Sequence, residues 1–327
     1  MNQLVDITVK KSTGILTLDR PEALNSLNEE MVGTIAGALD AWADDDSIDQ
    51  VVIYSSGKHF CAGGDVRNAR QRILDGEAKD VDDFFATEYR MNLALAEFPK
   101  PYIALMNGVV MGGGLGISVH GSHRVITQGS FASMPEMNIG YCTDVGISHV
   151  YQNLPGHRST AFGKFLGLTG YRLNEADMIT TGLATHYVPS FDGLLEDIVE
   201  HGVQAIEDRA EDPGHSELPK LYDDIDTAFQ GSWDEIWQRL DGDLRAMVEE
   251  LTKKASPSAL VASAELFEAN KGKTLAQALE NERVLGELIR REPDFLEGVR
   301  AVLVDKDQDP HFADKAPAQR YRDVLTY

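Results

Sequence analysis

Apolar and polar residues alternate, imperfectly, along Leu4–Val9 and again along Ile15–Leu18, on either side of a turn at Ser12-Thr13-Gly14. A spacing of two broken by a glycine turn predicts an opening β-hairpin. After the loop Arg20–Asn25 the spacing changes. Leu27, Met31, Ile35, Leu39 and Trp42 recur at helical intervals, and Ser26 with Glu29 offers a capping box ahead of them. Asp44-Asp45-Asp46 would close that helix in solvent. Gln50–Tyr54 predicts a buried strand that runs into Ser55–Asp65, a glycine turn followed by a helical stretch carrying Arg67, Arg70 and Arg72. Phe84–Phe98 predicts a further helix, and Tyr102–Met106 a further strand that leads into a second glycine turn. Strands and helices alternate in this way to about Val188, the pattern of an α/β unit. Beyond a polar stretch, Glu207–Pro219, the strands largely vanish. Trp233–Leu240, Leu244–Lys253, Ser258–Asn270, Thr274–Arg291 and Asp294–Val304 predict helices, with Ser256-Pro257-Ser258 as a helix start. The chain thus divides in sequence into 1–205, a core unit, and 206–327, a helical region.

Composition narrows the function classes. The 327 residues suffice for a full core, and 43% apolar with 25% charged residues is ordinary for a globular protein. A formal charge of −23 is not ordinary. It argues against general binding to nucleic acid or to an anionic membrane, because phosphates would be repelled. An anionic substrate would need local basic groups to enter. No basic segment followed by an apolar run opens the chain, and two cysteines, Cys61 and Cys142, make no disulfide framework, so a cytoplasmic setting is expected.

The candidate chemistry lies in two glycine turns and two carboxylates. Each turn can offer a backbone N–H at the start of a helix, where donors are unpaired and the dipole favours negative charge. If the N–H groups of Gly64 and Gly113 converge on one oxygen, they form an oxyanion hole; otherwise the glycines serve only tight turns and close packing. Glu136 stands among Phe131, Met134, Met137 and Ile139, and Asp144 follows shortly after. An acid in apolar company holds its proton more tightly, which suits general-base work near neutrality. Other chemistries fit less well. Gly112-Gly113-Gly114-Leu115-Gly116 lacks the third glycine of a dinucleotide fingerprint and an acid at ribose distance. No Gly-Lys-Ser/Thr ending and no Gly-x-Ser-x-Gly is present. Cys61 has no evident His–Asp partner set and reads as a core residue. His120 and His123 lack a third metal ligand at sensible spacing, and the arginine cluster reads as solvated.

Phe60-Cys61-Ala62-Gly63-Gly64-Asp65, Asn107–Gly114, Met134-Pro135-Glu136 and Ile139-Gly140 resemble the crotonase (enoyl-CoA hydratase/isomerase) superfamily over about Leu4 to Pro189. The resemblance implies an α/β (α+β) spiral of ββα units with an extended helical C-terminal region. It also implies an oxyanion hole from Gly64 and Gly113 for a CoA thioester. Hydratases of that superfamily usually carry a glutamate three residues after the oxyanion-hole glycine, where this chain has Gly116. Glu88-Tyr89, Ser118–Gly121, Met134-Pro135-Glu136, Asp144-Val145-Gly146, Ser256–Leu260 and Phe295–Asp307 instead look like the 3-hydroxyisobutyryl-CoA hydrolase branch, extending the likeness to about Pro310. Tyr141-Cys142-Thr143 departs from an aromatic-proline pair common there. By this resemblance Glu136 and Asp144 are catalytic, and Glu88, Gly113, Glu136 and Asp144 line the acyl pocket. Ala62, Lys58 and His59 would meet CoA. No separate cofactor and no metal are implied, since CoA is part of the substrate. The expected partner is a small acyl-CoA, with homo-oligomerisation left open. The rival expectations are a hydratase or isomerase using Glu136 as proton shuttle, and a non-catalytic CoA-binding subunit.

Overall fold

The computed structural model describes residues 3–327. They divide into two compact units, both discontinuous in sequence. The first comprises the described residues through Gly64 with Arg90–Ala132 and Arg172–Ser216; the second comprises Asp65–Tyr89, Ser133–Tyr171 and Glu217–Tyr327. The loss of strand patterning predicts a contiguous division at 205/206, whereas each unit draws on segments from both sides of it. Patterning marks where strands stop, not which segments return to pack together.

The first unit is built on a six-stranded sheet ordered Val5–Lys10, Thr13–Leu18, Gln50–Ser55, Tyr102–Met106, His123–Ile126 and His186–Tyr187. The opening pair is antiparallel, as the alternation predicts, and every later pair is parallel. Parallel strands need covered faces. Val52, Ile103, Leu105 and Val125 supply one face, closed by Leu194 and Ile198 of the helix Leu194–His201 and by Ala205 and Ile206. The helix Glu29–Ala43 buries Met31, Ile35, Leu39 and Trp42, the spacing read from sequence. A Cβ on Gly14 would lie 2.7 Å from the Trp42 ring, so only glycine lets this helix approach the second strand so closely. The expected capping box does not form. Asn28 caps the helix by accepting the Met31 N–H, while the Ser26 hydroxyl donates to the Ala23 carbonyl.

The second unit is mostly helical. Its central helix, Thr160–Thr169, buries nine of its ten residues, Ala161 to Thr169, so it carries no polar face and no amphipathic spacing to reveal it. Phe162, Phe165, Phe229, Phe267 and Phe295 are fully buried in this unit. The helices Trp233–Arg239, Gly242–Thr252, Pro257–Ala269 and Leu275–Ile289 lie where their apolar spacing predicts. Asp294–Val304 is a helix Pro293–Val299 that continues as one π-turn, Arg300–Val304. The helix Ala78–Ala96 begins six residues before the expected Phe84, because its first turns are polar.

Candidate active site

In the first unit the two glycine turns lie side by side. Cys61 N–H donates to Val109 O at 3.1 Å, and Met111 N–H donates to Cys61 O at 3.0 Å. A Cβ on Gly114 would lie 2.4 Å from the Cys61 carbonyl oxygen, so this approach requires glycine. Gly63 and Gly112 both adopt positive φ, +116° and +49°. A Cβ on Gly63 would lie 3.8 Å from Gly113 N. Among the described residues, neither the Gly64 nor the Gly113 N–H has a hydrogen-bond acceptor. Two adjacent unpaired donors are what an oxyanion requires. The Cys61 thiol is fully buried and contacts the Asn25 carbonyl oxygen at 3.1 Å, a packing role. Of the residues expected at CoA, Lys58 is exposed and Ala62 half-buried. His59 is half-buried, and its Nδ1 accepts the Val109 N–H at 3.3 Å. His123 stacks on His186 at 6.0 Å.

The second unit holds the carboxylates. Glu88 and Tyr89 project from the helix Ala78–Ala96, and Glu136 opens a 3-10 turn, Glu136–Ile139, after Pro135. That turn ends at Gly140, φ +65°, where a Cβ would lie 2.4 Å from the Asp294 carbonyl oxygen. Asp144 precedes Val145, φ +53°, and Gly146, φ +81°. A β-branched residue in the left-handed region is strained and must be held there by its surroundings. Glu282 does so. It accepts the Gly146 N–H at 2.7 Å, the Ser148 N–H at 3.2 Å and the Ser148 hydroxyl, while the Asn270 amide donates to that hydroxyl at 2.7 Å.

Glu88, Glu136, Asp144 and Glu282 are all buried. Burial, then the nearby Asp144, pushes Glu88 up to about 8 and Glu136 well above the usual carboxylate range. Burial likewise raises Asp144, but the Tyr89 hydrogen bond and Arg290 oppose it and leave it at about 6. Burial raises Glu282 to about 8 against the pull of its donors. Among the described residues Glu88 Oε1, Glu136 Oε2 and the Tyr151 hydroxyl have no hydrogen-bond partner. Buried polar atoms in that condition usually meet water or a ligand. Glu88, Glu136 and Asp144 were each legible as candidates. Arg290, Glu282 and Tyr151 were not.

These proton affinities make stability depend on pH. Glu88 and Glu282 bind a proton more tightly when folded than when unfolded, so the native state holds the extra protons between about 4.5 and about 8. Stability should therefore fall as pH rises through that window, by about 1.4 kcal/mol per pH unit for each group. Chemical denaturation at pH 5.5 and 7.5 measures this. Glu88→Gln should flatten the dependence, and an unchanged slope in that variant would contradict the assignment.

A model of enoyl-CoA hydratases/isomerases matches residues 13–325. The chain belongs to the enoyl-CoA hydratase/isomerase family. Among relatives in that family, the human mitochondrial 3-hydroxyisobutyryl-CoA hydrolase is 37% identical over 320 residues, covering 92% of this chain and 82% of the relative. The probable 3-hydroxyisobutyryl-CoA hydrolase 3 of Arabidopsis thaliana is 34% identical over 323 residues, covering 92% and 84%. Among solved structures, an enoyl-CoA hydratase from Rhodobacter sphaeroides 2.4.1 superposes with a TM-score of 0.90 at 35% identity, covering 98% of this chain and 97% of that one. A carnitinyl-CoA dehydratase from Mycobacterium thermoresistibile gives 0.88 at 32%, covering 98% and 96%. The fold is the α/β crotonase fold of this family, with a helical C-terminal region. No helix among the described residues is long and apolar enough to cross a membrane.

Proposed function

We propose that this protein hydrolyses the thioester of 3-hydroxyisobutyryl-CoA, a step of valine breakdown, releasing 3-hydroxyisobutyrate and CoA. The observation that carries the reading is the buried carboxylate cluster. Position 116 is glycine, so the second acid of a hydratase pair is missing there, and Asp144 and Glu88 accompany Glu136 instead. The names of the hydrolase relatives, at 34% and 37% identity over most of both chains, support the same substrate.

In this reading the Gly64 and Gly113 N–H groups donate to the thioester carbonyl oxygen and hold the charge that develops on it. Glu136 takes the proton of a water whose oxygen bonds to the carbonyl carbon, or its carboxylate bonds to that carbon to give a mixed anhydride that water then opens. Either way the C–S bond breaks, and the CoA thiolate leaves and takes up a proton. Asp144 orients the water or the substrate hydroxyl, and the unpartnered Glu88 oxygen meets that hydroxyl. Ala62 backbone and Lys58 contact the CoA moiety, with His59 held beside them by Val109. CoA belongs to the substrate, so no separate cofactor takes part. The proposed compartment is the cytoplasm; the human relative is named mitochondrial, and fractionation of source cells decides between them.

One specific observation favours a second reading, in which Glu136 shuttles a proton for hydration: the Rhodobacter structure is named an enoyl-CoA hydratase. Purified protein offered 3-hydroxyisobutyryl-CoA and crotonyl-CoA separates the two. Thiol release from the first is expected. Rapid loss of conjugation in the second without thiol release would replace the hydrolase by the hydratase.

A further inference from the structure

Arg290, at the C-terminal end of the helix Leu275–Ile289, is 1% exposed and lies within the second unit. Its guanidinium sits 4.2 Å from the centre of the Phe85 ring and donates to Asp82 Oδ1 at 2.8 Å. Asp82 does not neutralise it fully, because the half-exposed Arg291 shares the same carboxylate. A buried cation is costly unless its charge is used. Arg290 Nη1 also donates to the Tyr141 hydroxyl. The Tyr141 and Tyr89 hydroxyls are 3.3 Å apart, and Tyr89 donates to Asp144 Oδ2 at 2.7 Å. A Cβ on Gly286 would lie 2.4 Å from the Tyr141 hydroxyl and 2.8 Å from Arg290 Nη1, so this glycine leaves the room in which the two meet.

The chain of donors therefore has a direction. Arginine can only donate, Tyr89 donates to the carboxylate, and Tyr141 between them passes its own proton on toward Tyr89. Hydrogen bonds aligned in this sense strengthen one another in a buried site. We propose that Arg290 is a positioning residue. Through the Tyr141 and Tyr89 hydroxyls it keeps the negative charge of the carboxylate cluster on Asp144 and holds Oδ2 of that residue turned toward Tyr89. The catalytic consequence rests on the hydrolase reading above; the electrostatic one does not.

The groups electrostatically linked to Asp144 come from several segments; Tyr89 and Arg290 lower its proton affinity, and its charge raises that of the others. Glu88 and Tyr89 belong to one helix and Glu136 to the 3-10 turn. Tyr141 and Cys142 share its loop, and Glu282 and Arg290 come from the helix Leu275–Ile289 and its end. Arg290 is the buried cation among these seven. The directions agree with the geometry: against burial, the Tyr89 hydrogen bond, then Arg290, hold Asp144 down, while burial and Asp144 push Glu88 up and Arg290 opposes that as well.

The test reads Asp144 directly. Protein labelled with ¹³C at aspartate carboxyls is titrated by infrared difference spectroscopy, and the Asp144 band is identified by its loss in Asp144→Asn. Tyr141→Phe removes the middle hydroxyl and keeps the ring that packs on Phe85 and Phe295. It should move the Asp144 midpoint upward by about one pH unit, lower kcat at pH 6 about fivefold and leave KM within about twofold. Arg290→Lys, which keeps a cation, should displace the midpoint less than Arg290→Gln, with thermal melts checking that each variant folds. An unmoved midpoint in Tyr141→Phe, or equal displacement in both Arg290 variants, would overturn the proposal. If the parent protein releases no thiol, the hydrolase reading fails while the titration still decides the relay.

Discussion

Glu136→Gln should lower thiol release by about 10²–10⁴-fold, the range over which a positioned general acid or base contributes. The amide keeps the size and shape of the side chain but can neither take a proton from water nor form an anhydride. The fold should survive, and at alkaline pH it should gain. Glu136 binds its proton far more tightly when buried than in the unfolded chain. Above the unfolded value the native state therefore carries a cost that the neutral amide avoids. The variant should accordingly melt higher than the parent at pH 8 and about equally at pH 5. Retention of more than half the activity would remove Glu136 from the mechanism. In the parent, kcat/KM should climb with pH along a limb well above the ~4.3 of free glutamate, because the reactive form is the ionised one.

The second large effect is structural in origin. Gly114→Ala places a methyl carbon 2.4 Å from the Cys61 carbonyl oxygen and 2.9 Å from the Cys61 Cβ. Backbone must move, and the segments that separate are the two glycine turns carrying the Gly64 and Gly113 amides. Overpacking of this kind costs about 1–3 kcal/mol of stability. Misplacing one oxyanion donor costs about 10²–10³ in kcat. Both losses should appear together, in denaturant melts and in thiol release. Gly33→Ala supplies the contrast. Gly33 is exposed within the helix Glu29–Ala43, and its added Cβ meets nothing within 4 Å. There alanine should stabilise by about 0.5–1 kcal/mol and leave activity alone. If Gly114→Ala were as harmless as Gly33→Ala, the close apposition of the turns would not matter to catalysis.

Local chemistry was legible wherever a few neighbouring residues determine it. The hairpin, the strands Gln50–Ser55 and Tyr102–Met106, and the N-terminal cap Ser256 could be read from spacing and turn residues. The helix start at Asn28 was misread because Ser26 and Glu29 have the right spacing, yet Ser26 is drawn back to Ala23 by the preceding loop. Glu136 could be singled out because its apolar neighbours adjoin it in sequence. Arg290 and Glu282 could not. Arg290 meets Tyr141 from 149 residues away, and Glu282 meets Gly146 from 136 residues away. No periodicity connects such positions; only the packing of the second unit does. Tyr151 lies in a six-residue helix, Ile147–Gln152, too short to show a face. The same limit applies to Arg70, whose guanidinium donates to the Leu296 carbonyl at 2.7 Å rather than standing free in solvent.

Hydrogen bonding sorts Glu88, Glu136, Asp144 and Glu282 by availability. Glu282 is saturated by Gly146 and Ser148, and Asp144 is engaged on one side by Tyr89. Glu88 and Glu136 each retain an oxygen with nothing to bond among the described residues. A plain hydrocarbon acyl chain packed against these buried oxygens would leave both without a partner, where an unmade hydrogen bond costs about 1–3 kcal/mol apiece. An inhibitor built to fit should therefore bring polar hydrogens for two atoms in this half of the molecule. Lengthening its alkyl part should gain little by comparison.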